Sequence, residues 1–178
     1  MLDKNKIEKI FKEIFKDGIV SYWKELPSTQ EYAVNFPVEF PLLVIAEKQT
    51  KSFGRRGRKW YSPEGGLWFT FSIGENFIRN KRNLSVRIGR VVKNAIKIKT
   101  GLNLKIKIPN DILYKGKKLC GILITKSIGR YHIGVGINVN NHPPLKTATS
   151  IKSITGSNTD LNLLLFEILR KIKEEIVI

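Results

Sequence analysis

Hydrophobic positions change their period several times along the chain, and each change marks an element. Ile7, Ile10, Phe11, Ile14 and Phe15 recur at helical spacing, with Gly18 as the expected stop. IVSYWKEL (19–26) reads as a strand, and Ser28 with Glu31 in STQE has the spacing of a capping box that opens a short helix. PLLVIAE (41–47) is a run of the buried-strand type, and LWFTFSI (67–73) reads as another strand. From Leu84 to Lys99 the residues Ile88, Val91, Val92, Ala95 and Ile96 return to a helical period, which Gly101 closes. LKIKI, ILY, LCGILIT and YHIGVGINV follow, separated by PND, KGK and IGR. Turns that short between β-rich runs predict an antiparallel meander. Leu161, Leu164, Leu165, Ile168, Leu169 and Ile172 form one face of a last helix. The whole pattern predicts an α+β fold, a mixed and largely antiparallel sheet with helices packed on it.

Composition narrows the class. A chain of 178 residues with 42% hydrophobic and 26% charged residues is expected to form one domain with a sizeable core. No apolar run approaches the ~20 residues of a membrane span, and the N-terminal helix pattern lacks the apolar centre of a signal peptide. A cytoplasmic location without membrane partners is the expectation. Cys120 is the single cysteine, and His132 and His142 stand apart, so no disulfide framework or metal cluster is expected. The net charge of +17 favours acidic partners, yet much of it is lysine dispersed along the chain, as a solvated surface would carry it.

Four stretches have the residue types of a site. In SFGRRGRKW (52–60), Gly54 and Gly57 allow close backbone approach, while Arg55, Arg56 and Arg58 supply guanidinium forks suited to a phosphate; Trp60 anchors the end of the loop. In KIKIPNDILYKGKKLCGIL (105–123), Lys107 and Asp111 flank a Pro-Asn turn at Asn110, and Lys117 and Lys118 lead into an apolar strand. Such a hairpin can bring cation and carboxylate into one cleft. In GVGINVNN, Gly134, Gly136 and Asn138 fall on one strand face and leave room there. Ser28, Thr29, Gln30 and Gln49 lie near strand ends, where they can read a polar ring. Each stretch alone also has a plainer reading: an exposed basic hairpin tip, ordinary turn chemistry, a strand crossing, a helix cap.

Together and in this order, these segments resemble the catalytic domain of the biotin protein ligase family. The family shows ST-N/Q, AExQ, GRGRRGRxW, SPxGG, KWPND, KLxGIL and GxGINVN. Here they stand as Ser28-Thr29-Gln30, Ala46-Glu47-Lys48-Gln49, SFGRRGRKW, SPEGG, KIPND, KLCGIL and GVGINVN, with Ala148-Thr149-Ser150 also in register. The resemblance spans roughly Ser21 to the final helix. It implies an ATP-dependent ligase that forms biotinyl-5′-AMP and passes biotin to one lysine of a biotin carboxyl carrier protein, with ATP and biotin as substrates and Mg²⁺ shielding the triphosphate. By resemblance Lys118, Arg55 and Asp111 are catalytic. Ser28, Thr29, Gln30, Gln49, Gly121, Gly134 and Gly136 hold biotin. Gly54, Arg55, Arg56, Gly57, Arg58, Trp60, Lys107, Asn110, Lys118 and Asn138 hold the nucleotide.

The pattern is broken at two places within these motifs. Ser52-Phe53 stands where the family loop begins Gly-Arg, and Ile108 stands for the Trp of KWPND. Two further departures from the family are expected: residues 1–178 read as a single catalytic domain, without a winged helix before it or a β-barrel after it, the alternatives being a barrel on a separate chain and a minimal ligase. A homodimer through a sheet edge and no specific nucleic acid are also expected. The alternatives are a lipoate or octanoate ligase or transferase of the same fold, whose RRxxGGG and HD patterns are missing, and a ligase-fold biotin binder with weak turnover. A nucleic-acid binder would require salt-sensitive binding and no need for Lys118.

Overall fold

Alternation along the strands decides which side of the sheet the helices cover. In a computed structural model covering residues 1–178, the strands are β1 (Ile19–Leu26), β2 (Leu42–Gln49), β3 (Leu67–Gly74), β4 (Lys105–Lys107), β5 (Asp111–Tyr114), β6 (Lys117–Ser127) and β7 (Arg130–Ile137). They form one sheet in the order β1-β2-β3-β7-β6-β5-β4; β1 and β2 are parallel and every other neighbouring pair is antiparallel. The helices are α1 (Lys4–Ile14), α2 (Thr29–Asn35), α3 (Leu84–Thr100), α4 (Ile151–Thr155) and α5 (Leu161–Glu175). The expected mixed, largely antiparallel sheet is therefore present.

One face of the sheet sends Leu43, Ile45, Phe69, Phe71, Ile133 and Val135 into the main core, where they meet the apolar faces of α1, α3 and α5. Phe15 and Phe11 of this helical layer lie 4.9 and 6.1 Å from the Phe71 ring centre. On the other face, Leu42, Val44 and Ala46 pack with Leu26 and Ala33 of α2 in a small second cluster. Beyond that cluster, towards β7 and β6, the uncovered face carries little bulk.

The meander is closed by tight turns. Lys115 and Gly116 (φ 45° and 81°) join β5 to β6, and Ile128 and Gly129 (φ 45° and 68°) join β6 to β7. Positive φ at both central residues gives a turn whose twist matches that of the strands it joins. Gly18 has a different role from the helix stop read in the sequence. α1 ends at Ile14 with Phe15 in an extended conformation, and a Cβ on Gly18 would lie 2.5 Å from the Phe11 ring. The glycine is required by close packing. α4, which no apolar periodicity announces, is a five-residue helix capped by Ser150, whose hydroxyl accepts from Ser153 N–H.

One irregularity positions the site. Ile112 pairs with Cys120, but Leu113 pairs with Lys118, so Leu119 is an extra residue on β6. Such a bulge re-aims the side chains before it. Strict alternation would put Lys118 on the same side as Cys120 and Ile122, under the helices. The bulge lets Leu119 remain fully buried while Lys118 turns to the uncovered face with Gly121. The Lys118 backbone is held in this position from outside the sheet: Lys118 N–H donates to Thr147 C=O, and Thr149 N–H donates to Lys118 C=O.

Asp160 opens α5, its carboxylate accepting from Asn162 and Leu163 N–H. Burial acts to raise its pKa, but these two bonds and the Lys6 charge outweigh it, and the net position is below the ordinary carboxylate value. Asp160→Ala is expected to lower stability by about 1 kcal/mol in urea unfolding. The contribution is full above the unfolded pKa of about 3.9 and is lost as pH falls through the lower folded value.

Candidate active site

The uncovered face of β3, β7 and β6 has Thr70, Gly134, Gly136, Gly121 and Leu123 at its centre, and a cleft of about 400 Å³ opens over it. α2 walls one end with Ser28, Thr29 and Gln30, each nearly excluded from solvent. The hairpin of residues 52–60 walls the other, closed at its neck by Trp60 N–H donating to Ser52 C=O and by a Phe53–Lys59 bridge. Five cationic side chains (Arg55, Arg56, Arg58, Lys59 and Lys118) and one carboxylate, Asp111, line the cleft. An anion is thus favoured at the loop end and a neutral polar group at the α2 end.

At the α2 end the polar groups answer one another. Gln30 Nε2 donates to Thr125 Oγ1 (2.8 Å) and to His132 C=O (3.0 Å). Thr70, fully buried on β3, has its hydroxyl 3.0 Å from Thr29 Oγ1 and 3.1 Å from Gln30 Oε1. Gln49 Oε1 accepts from Thr29 N–H at 2.8 Å and from the Thr29 hydroxyl at 3.1 Å. Ser28 caps α2 by accepting from Glu31 N–H and lines the cleft as well. His132 lies nearby on β7, Nε2 2.8 Å from Ser127 Oγ, and burial followed by the Arg130 charge keeps its pKa below the usual imidazole value.

In the middle of the cleft Lys118 Nζ lies 2.8 Å from Asp111 Oδ1, a close ion pair outside hydrogen-bond geometry. Lys118 Nζ is also 5.0 Å from the centre of the Trp60 ring. Arg55 donates to Asn110 Oδ1 at 3.2 Å, and Asn110 Nδ2 donates to Ile122 C=O, so the loop tip is linked to the turn before β5. No group of three His, Cys, Asp or Glu side chains could hold a metal ion.

The structure corrects several expectations about position. Lys107 is exposed on the edge strand β4 and does not line the cleft; the cation that meets Asp111 is Lys118. Asn138 follows the end of β7, where the chain turns away. Its Oδ1 accepts from Asn141 Nδ2, and it is buried outside the cleft. Gly57 sits at the loop tip in open space, also outside the lining. Gly134 and Gly136 do share a face, but their space is taken by protein. A Cβ on Gly134 would lie 2.4 Å from Gln30 Oε1, and one on Gly136 would lie 2.8 Å from Trp60 Nε1. Gly121 likewise faces the Trp60 ring, 3.1 Å from the position of a Cβ. Ser28, Thr29, Gln30, Gln49, Gly54, Arg55, Arg56, Arg58, Trp60, Asn110, Asp111 and Lys118 all line the one cleft. Thr70 and Leu145 join them without having been singled out, and a lone threonine inside LWFTFSI is the one signal that pointed to either; Ser52, noted only as a departure from the family loop, lines the cleft as well.

A mixed sheet with one face covered by helices and a cationic cleft on the other defines an α+β domain with an anion-binding site. The chain belongs to the biotin/lipoate A/B protein ligase family, whose model matches residues 23–140. Among individual relatives, it is 35% identical over 155 residues to the bifunctional ligase/repressor BirA of Bacillus subtilis, covering 78% of this chain and 48% of that protein. It is 30% identical over 169 residues to BirA of Escherichia coli, covering 88% of this chain and 53% of that protein. The biotin protein ligase of Aquifex aeolicus, solved in complex with biotin and ATP, superposes with a TM-score of 0.81 at 34% identity, over 88% of this chain and 69% of that one. The chain thus spans about half the length of the curated relatives it matches.

Proposed function

We propose that this chain is the catalytic domain of an ATP-dependent biotin protein ligase. The observation that carries the reading is one cleft with two chemically different ends: neutral amide and hydroxyl groups at α2, and a lysine and arginines at the loop. A cyclic urea suits the first, and a carboxylate meeting a triphosphate suits the second. The Aquifex aeolicus relative was solved with biotin and ATP, which supports the same pairing.

In the first step a carboxylate oxygen of biotin attacks the α-phosphorus of ATP, and the bond to the bridging oxygen breaks to release pyrophosphate. Lys118 lies where two anions must approach and offsets the charge that accumulates between them. Arg55, Arg56 and Arg58 hold the phosphates, and the loop shields the mixed anhydride from water. Mg²⁺ enters with the triphosphate as part of that substrate, in keeping with Asp111 being the one carboxylate of the lining. In the second step the acceptor lysine amine attacks the acyl carbon, AMP leaves, and the amine gives up a proton. Asp111 is the group available to orient that amine.

The acceptor is a biotin carboxyl carrier protein with an acidic surface. Between Glu75 and Asp160 the chain has seventeen Lys and Arg and one acid, Asp111, so nearly all the net charge lies in this half. Its exposed part includes Arg90, Lys97 and Lys99 on α3, with Lys105 and Lys107 on β4, the strand beside β5. Charge of that kind speeds encounter with an acidic partner. β1 and β4 are free edges of the sheet, which is where a homodimer would form. No helix is long and apolar enough to cross a membrane, in keeping with action in the cytoplasm.

Incubation of the purified chain with biotin, ATP and Mg²⁺ is expected to yield biotinyl-5′-AMP, read by mass spectrometry. Biotin binding without adenylate would reduce the reading to a binding protein. Activation of lipoate in place of biotin would move it to the other branch of the family.

A further inference from the structure

A single run of hydrogen bonds crosses the cleft floor and ends on the arginine loop. The Thr29 hydroxyl donates to Gln49 Oε1 at 3.1 Å, and the Thr70 hydroxyl, whose one proton faces both Thr29 Oγ1 and Gln30 Oε1, borders the start of the run. Gln49 Nε2 donates to Ser62 Oγ at 2.9 Å. The Ser62 and Ser52 hydroxyls are 2.8 Å apart, and the Ser52 hydroxyl donates to Trp60 C=O at 2.8 Å. With the Ser52 proton committed to Trp60, Ser62 must donate to Ser52. Every bond from Thr29 to Trp60 then runs in the same sense, so each polarises the next. Ser52 and Ser62 are 8% and 4% exposed, and water does not compete well for these bonds.

The two ends of this run do different things. Thr29 and Gln49 belong to the neutral end of the cleft, where a cyclic urea would bind. Ser52 and Trp60 are the two residues at the neck of the hairpin carrying Arg55, Arg56 and Arg58. Ser52 is also where the family pattern has glycine, which has no hydroxyl to offer. Ser62 is tied in by backbone too, since Gln49 N–H donates to Ser62 C=O.

We propose that Ser52 is a positioning residue that ties the neck of the arginine loop to the pocket residues Gln49 and Thr29, so that filling the pocket steadies the loop over the nucleotide phosphates. The inference rests on the biotin-ligase reading for its ligands, while the tie itself does not. A ligand that bonds to Thr29 and Gln49 alters the run's hydrogen bonds, and the effect reaches Trp60 through two hydroxyls. Linkage makes the effect reciprocal: a loop held by ATP tightens the pocket for biotin by the same factor.

The test uses Ser52→Ala and Ser52→Thr in the full chain. Trypsin cleavage after Arg55, Arg56 and Arg58, followed by mass spectrometry, reads the loop without requiring activity. Without ligand, Ser52→Ala is expected to be cut at these sites several-fold faster than the parent, and Ser52→Thr at close to the parent rate. Biotin should slow cleavage in the parent and in Ser52→Thr but not in Ser52→Ala. In adenylate formation, Ser52→Ala should raise the KM for ATP about five- to tenfold, the size expected for one lost hydrogen bond. Its kcat, and its biotin Kd without nucleotide, should stay within about twofold of the parent, the scale of context scatter for a single hydrogen bond. Equal cleavage rates in Ser52→Ala and the parent would overturn the proposal. So would a biotin Kd that rises in step with the KM for ATP, because Ser52 would then only hold the pocket together. A parent chain that makes no adenylate counts against the ligase reading, and the ligand-free cleavage rates still decide whether the tie exists.

Discussion

Lys118→Ala is expected to reduce biotinyl-5′-AMP formation by a factor of about 10³ or more while the chain remains folded. Removing one preorganised group that meets developing charge costs about 10²–10³ in rate, and here the loss is compounded. Asp111, 2.8 Å from the ammonium, would be left as an unpaired carboxylate where the phosphates must sit. Stability should change little: the Lys118 side chain is about a third exposed, and pairs of that kind contribute roughly 0–1 kcal/mol. Thermal unfolding and a single-turnover adenylation assay check the two halves separately. The double variant Lys118→Ala/Asp111→Asn should recover part of the lost rate, because it removes the repulsion. Turnover near the parent rate in the single variant would remove Lys118 from the mechanism.

Gly134→Ala is the second large effect. The added methyl would lie 2.4 Å from Gln30 Oε1 and 3.2 Å from Leu123 C=O. The backbone contact cannot yield, so the Gln30 side chain must move. That movement strains its bonds to Thr125 and His132, both made by one amide nitrogen in a residue 5% exposed. Those bonds are internal to the protein, so their loss appears as lost stability, while a displaced Gln30 is expected to weaken biotin binding by about tenfold, the size of one lost hydrogen bond to the ligand, measured by titration calorimetry. Overpacking should also cost about 1–3 kcal/mol of stability. If affinity is unaffected, Gln30 does not shape the pocket.

Much of the architecture was legible because one-sided burial forces periodicity. β1 occupies the eight residues read as a strand, and the faces of α3 and α5 are those marked by their leucines, isoleucines and valines. The motifs also fixed most of the cleft lining, since each brings a backbone position as well as a side chain. What escaped was geometry that depends on partners far away in the chain. Asn138 continues the alternation of Gly134 and Gly136 on paper, but β7 stops at Ile137 and the asparagine turns to Asn141. Lys107 is the cross-strand partner of Asp111, and only the extra residue on β6 brings Lys118 to the same face and into the ion pair. The Ser52–Ser62–Gln49 contacts join residues that no local pattern relates. Glycines raised the right question there, though their space receives Trp60 and Gln30.

The extra residue at Leu119 also has a metric consequence. In a regular strand, the order leucine then lysine would put the same two side chains on the same two faces with no irregularity. The order found here, Lys118 then Leu119, keeps Lys118 opposite Leu113, the partner that a regular strand would give to residue 119, so the bulge absorbs the extra residue and the ammonium holds its register relative to Gly121. On the biotin reading, the span from that register position to the α2 end of the cleft is a ruler for the substrate: a polar ring fixed at one end reaches the cation only if its acid arm has the matching length. Selection among ring-bearing acids would then be made by reach as well as by recognition of the ring, and the gauge is set by a residue that touches neither end.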